Sequence, residues 1–121
     1  MTVQQPVRGT VTPVQAEREL RRLARKLESR TDDLAGLLRE AAEAEVGHRV
    51  EHAKALLRAE GGTIAEREAV AMIAVERLLL DRKVKEAVAD ACRESVRSLR
   101  DQIRAVQSVN ANVRELAGLS S

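Results

Sequence analysis

Apolar residues recur along this chain at helical rather than strand spacing. In the first part, Leu20, Leu27, Leu34 and Ala41 form one heptad row, and Leu23, Leu37 and Ala44 form a second, interrupted by Arg30. That periodicity predicts a long helix over residues 12–60. Past Gly36 the stripe drifts onto Leu38, Ala42, Val46, Val50, Ala53 and Leu57, the mark of a longer repeat with weaker supercoiling. A second helix is expected over 63–117. Its cleaner half sets Ala89, Val96, Ile103, Asn110 and Ala117 in one row and Cys92, Leu99, Val106 and Val113 in the other. Upstream the stripe is broader: Val70, Ile73, Leu80, Val84 and Val88, with Leu78 and Leu79 on further faces. Leucines at 78, 79 and 80 cannot all meet one partner helix.

Gly61-Gly62-Thr63 separates the two patterns. Each glycine costs a helix roughly 1 kcal/mol relative to alanine, and Gly61 suits the left-handed residue that closes a helix. Thr63 with Glu66 three residues on reads as a capping box, and Thr12, Pro13 and Gln15 open the first helix in the same way. Ser29 to Asp33 is the likeliest place for an interruption, with Thr31 capping a new segment as the alternative to one continuous helix. A short turn at 61–62 makes long neighbours antiparallel, so Leu20 should meet Ile103, Leu27 Val96 and Leu34 Ala89. Residues 1–11 have no periodicity and read as a flexible arm, and 118–121 as a frayed tail. The fold class expected is all-α: a long antiparallel two-helix hairpin, coiled-coil-like.

Composition sharpens this picture. The 121 residues contain no Phe, Tyr or Trp, so aliphatic side chains must make the core. One stripe per helix buries little surface against the entropy of ordering the backbone. Other copies of the chain are the simplest remedy, so a homo-oligomer that completes a bundle is expected. Its interface would use Leu78, Leu79, Val96, Leu99, Ile103, Val106, Asn110 and Val113. Asn110 is the polar member of a core row, the type of residue that fixes register in coiled coils. Residues 1–11 lack the apolar segment of a signal peptide, and no apolar run reaches the length of a membrane span. The single Cys92 excludes an internal disulfide and fits a reducing compartment, so a cytoplasmic protein is expected.

The net charge of +2 hides a pattern. Residues 1–31 carry seven basic and three acidic side chains, 32–81 six and eleven, and 82–121 eight and five. Folded about the glycines, the basic segments lie together. Arg93, Arg97, Arg100 and Arg104 recur at helical spacing, and Arg18, Arg21, Arg22, Arg25, Lys26 and Arg30 belong to the other helix. Such an end can meet nucleic-acid phosphates. Without aromatic rings to stack bases, binding would be directed at the backbone and weak in sequence preference. Two other readings stay open. The charges can form a solvated surface tied by local pairs such as Glu17 with Arg21 and Asp90 with Arg93. Alternatively, the basic end of one copy can meet the acidic end of another.

Little here points to catalysis. Glu45 and His48 have the Glu-x-x-His spacing of carboxylate metal sites in helical bundles, with His52 on nearly the same face and Glu76 opposite, but those sites need the motif twice. Glu40 and Glu43 match half of the acidic signature of all-α nucleotide pyrophosphohydrolases, while Glu86 and Asp90 are one residue too far apart for the other half. No phosphate loop, nucleophile arrangement or cofactor motif stands out, and the chain is expected to be neither an enzyme nor a metalloprotein.

The run VTPVQAERELRRLARKLESRTDDLAGLLREAAEAE, with HAKALLRAEGGTIAEREA, resembles small all-helical proteins of phages and prophages of high-GC Gram-positive bacteria, from their replication and recombination region. The resemblance covers roughly residues 12–115. It implies an accessory role in phage DNA recombination or replication inside the host cell, beside a partner such as a phage recombinase. It carries over no catalytic residues. The alternative is a coiled-coil adaptor, a scaffold or an inhibitor of a host protein, with no nucleic-acid contact.

Overall fold

The computed structural model describes residues 12–119. They form three helices, α1 (Pro13–Arg58), α2 (Ile64–Ala74) and α3 (Glu76–Leu119), and among the described residues there is no strand. The arm expected over 1–11 lies outside the described residues, as do Ser120 and Ser121. Gly118 and Leu119, expected in a frayed tail, belong to α3.

The caps follow from the sequence. The Thr12 hydroxyl accepts from the Gln15 N–H at 3.2 Å, and the Gln15 side-chain oxygen accepts from the Thr12 N–H at 3.0 Å. Both orphan donors are thus satisfied. At the corner Gly61 and Gly62 take φ of 69° and 71°, the left-handed region that excludes most other residues. Thr63 Oγ1 accepts from the Glu66 N–H at 3.2 Å. The Glu66 carboxylate lies against Gly62, where a Cβ would collide with it.

One alternative falls and one expectation is corrected. Thr31 starts no new segment: its hydroxyl donates to the Leu27 carbonyl at 2.8 Å inside an unbroken α1. The second helix is not continuous over 63–117 but is divided at Val75, which has φ −112° and ψ 17°. The Val75 N–H is shared between the carbonyls of Ala71 and Met72 at 3.2 and 3.3 Å. Neither glycine nor proline marks this point. Val75 is a β-branched residue with poor helix propensity, and it is buried with Ala55 and Ala71.

The chain divides into two compact units. Unit 1 joins the start of α1, through Thr31, to α3 from Ser95 onward; unit 2 comprises Asp32–Glu94. In unit 1 the heptad rows point inward as the pattern requires. Ala16, Leu23, Val96 and Leu99 are buried, and Leu20, Leu27, Ile103, Val106 and Val113 are half-buried.

In unit 2 the rows persist but carry smaller or polar side chains. Ala55, Ala71, Val75, Ala89 and Cys92 are buried, with Ala41, Ala44, His48, Arg82 and Lys85 half-buried around them. The drifting stripe Leu38, Ala42, Val46, Val50, Ala53 and Leu57 is exposed rather than internal, and so is Val70, Ile73, Leu80, Val84 and Val88. The reason is geometric. The heptad slots of α1 continue through Ala41, Ala44, His48 and Ala55, so the larger residues fall on a second, outward face.

Candidate functional site

The nominated basic residues are all exposed. Arg18, Arg21, Arg22, Arg25, Lys26, Arg97, Arg100 and Arg104 fall in unit 1, whereas Arg93 falls in unit 2. By sequence, unit 1 holds eleven basic and five acidic residues and unit 2 ten and fourteen, giving +6 and −4. The charge separation read along the chain is therefore a difference between units.

Part of this charge is engaged locally. Arg22 grips Glu19 with Nε at 3.0 Å and a terminal nitrogen at 2.6 Å. Those hydrogen bonds hold the Glu19 carboxyl below its ordinary value and raise Arg22. Arg21 lies 3.9 Å from Glu17, Arg104 3.5 Å from Asp101 and Arg93 3.3 Å from Asp90. Arg114 reaches Glu17 at 3.2 Å, tying α3 to α1 within unit 1. Folding about the glycines would set Glu17 near Val106 instead. Ala16 and Glu19 do share a groove of about 200 Å³ with Ala105, Val106 and Val109. Long helical side chains lean toward their own N-terminus, so the Arg114–Glu17 contact joins positions farther apart in register than the backbones that face each other. Among the described residues, Arg18, Arg25, Lys26 and Arg100 make no ion pair and present their charge outward.

The acidic and histidine residues weighed above against a metal site are organised around a cation. Arg82 stands on the inner row of unit 2 with its side chain 22% exposed. It donates to Glu86 at 2.8 Å and to His48 Nδ1 at 3.2 Å and lies 3.6 Å from Glu45. A guanidinium only donates, so in this contact His48 Nδ1 is the acceptor. The bond from Arg82 holds Glu86 below its ordinary value. The His48 and His52 ring centres are 6.1 Å apart. Among the described residues, no three His, Cys, Asp or Glu side chains gather as a ligand set. Sequence reading missed Arg82, because a charged residue in a heptad slot looks like an interruption. Its position seven before Ala89 on the inner row was the available signal.

The residues nominated for an oligomer interface separate into two groups. Val96, Leu99 and Asn110 are buried within the single chain and so offer nothing to a partner, because the inner row of unit 1 already uses them. Ile103, Val106, Val113 and Leu79 are half-buried, and Leu78 is exposed. Asn110 is 8% exposed, and its side-chain carbonyl has no hydrogen-bond partner. Around the corner, Leu56, Leu57, Ala59, Ile64, Arg67 and Glu68 line an open groove of about 270 Å³. No helix among the described residues is long and apolar enough to cross a membrane.

No protein-family model matches the chain, and neither a curated protein nor a solved structure is significantly similar to it.

Proposed function

We propose that this chain is a non-enzymatic binding protein of DNA metabolism, in which unit 1 lies on nucleic-acid phosphates and unit 2 joins protein to protein. In this reading the long helices form an antiparallel hairpin that self-association completes into a bundle. The observation that carries it is the excess of exposed basic side chains in unit 1, with Arg18, Arg25, Lys26 and Arg100 outside any ion pair among the described residues. Exposed guanidinium and ammonium groups attract phosphates and displace their counterions, and without aromatic rings to stack on bases the contact stays on the backbone. The resemblance to phage proteins suggests the setting: an accessory of recombination or replication in the cytoplasm of a bacterial host, beside a phage recombinase or replication protein.

Titration of single-stranded and duplex DNA at two salt concentrations tests this. Binding should fall steeply with salt, with a log–log slope of about −4 to −6 on duplex if five or six phosphates are neutralised. Substituting Arg97, Arg100 and Arg104 together by Glu should weaken it by about a hundredfold or more at low salt without loss of helicity. Absence of binding at low salt would remove the nucleic-acid part. The second reading, an adaptor that touches no nucleic acid, is favoured by the local pairs that engage Arg21, Arg22 and Arg104.

A further inference from the structure

Among the described residues, sixteen large apolar side chains are exposed, and thirteen of them belong to unit 2. Helix α2 is the extreme case. Its last six residues, Ala69 to Ala74, are all apolar and cover every side, yet Ala71 is its one buried residue. Ile64, Val70, Met72 and Ile73 are 57–73% exposed. A helix that is apolar all round is ordinarily enclosed by other helices. Leu80 and Val84 extend the apolar surface along α3. We propose that unit 2 docks on unit 2 of a second copy of this chain, with α2 at the centre of the interface. This deepens the self-association in the reading above and rests on it.

Three observations select this occupant. The thirteen exposed large apolar side chains of unit 2 are spread over α1, α2 and α3 and sum to on the order of 1,000 Å², so the part that one face presents can supply much of the roughly 800 Å² per partner, polar and apolar together, of a standard interface. Enclosing α2 on several sides takes several helices, which a second copy brings and a single bound peptide helix does not. Unit 1 of another copy is a poor match, since its exposed large apolar side chains among the described residues are Val14, Val109 and Leu116. Two units of −4 repel at the rim of such an interface. Added salt therefore screens the repulsion and preserves the apolar contact, whereas docking of a basic unit on an acidic one would come apart.

Light-scattering mass, measured without DNA, tests the proposal. At about 50 µM, where a micromolar interface is well populated, the chain should show at least twice its 13.3 kDa mass. That mass should hold between about 0.1 and 1 M salt. Ile73→Glu, and separately Leu80→Glu, should reduce it to one chain, while Val109→Glu in unit 1 leaves it unchanged. Loss of helicity together with the single-chain mass counts in favour, since both side chains point outward in the isolated chain. The proposal is overturned by a single-chain mass for the natural sequence, by dissociation at high salt, or by association that survives both unit 2 substitutions. None of these outcomes depends on whether unit 1 binds DNA.

Discussion

Units 1 and 2 both draw on α1 and α3, and both keep the heptad rows turned inward, but different residues fill those rows. Ala16, Leu23, Val96 and Leu99 are buried in unit 1; in unit 2 the buried residues are Ala55, Ala71, Val75, Ala89 and Cys92, with Leu34, Leu37, Arg82 and Lys85 half-buried on the same rows. The large aliphatic side chains of unit 2 are on its outer faces instead. Periodicity decides which positions face inward, and the size of what occupies them decides how much a unit needs from outside. Unit 1 closes on its own side chains and exposes positive charge. Unit 2 closes on small ones and exposes hydrocarbon.

The largest test of this contrast is a pair of truncations. Leu23 is 1% exposed, and Leu23→Ala should cost about 3 kcal/mol. Leu80→Ala, at a side chain 64% exposed, should change the dilute single chain by less than about 0.5 kcal/mol. Urea unfolding followed by helicity measures both, and equal losses would abolish the distinction between the units.

A smaller effect is expected at Asn110, the polar exception inside unit 1. Its side-chain carbonyl is buried and unpaired, so Asn110→Leu should raise stability by about 1–2 kcal/mol. The readout is the thermal midpoint. A fall instead of a rise would mean that the carbonyl has a partner in solution.

The smallest effect is acid sensitivity, which the units share. Glu19 and Glu86 are held below the ordinary carboxylate value of 4.5 by hydrogen bonds from Arg22 and Arg82. A lowered carboxylate contributes stability that is fully present above its unfolded value and is lost as the pH falls through the folded one. Helicity should therefore soften only below about pH 4.5. Arg82→Gln should blunt this more than Arg22→Gln, because Arg82 also holds Glu45 and His48. An unchanged acid profile in both variants would detach these pairs from stability.

Much of this architecture could be read in the chain beforehand. The corner at Gly61-Gly62, the caps at Thr12 and Thr63, and the inward rows of unit 1 follow from turn chemistry and heptad spacing. What could not be read has a common cause in unit 2. Two apolar stripes share the later part of α1, and hydropathy favours the greasier one, Leu38 to Leu57, over the one that continues the heptad through Ala41, His48 and Ala55. The break at Val75 carries no glycine or proline to find; it falls at a β-branched residue buried with Ala55 and Ala71. The basic residues stand exposed, but composition alone could not say that Arg22 is gripped by Glu19 while Arg18 is not.

Arg82 shows where this leads. A guanidinium, two carboxylates and an imidazole lie half-buried beside the small apolar core of unit 2, while leucine, valine and isoleucine stand on its outer faces. Salt screens the ion pairs of Arg82 and leaves contacts between apolar side chains intact. If unit 2 docks on a second copy as proposed, ionic strength acts on the two sides of α3 in opposite directions, loosening the Arg82 contacts and sparing the apolar ones.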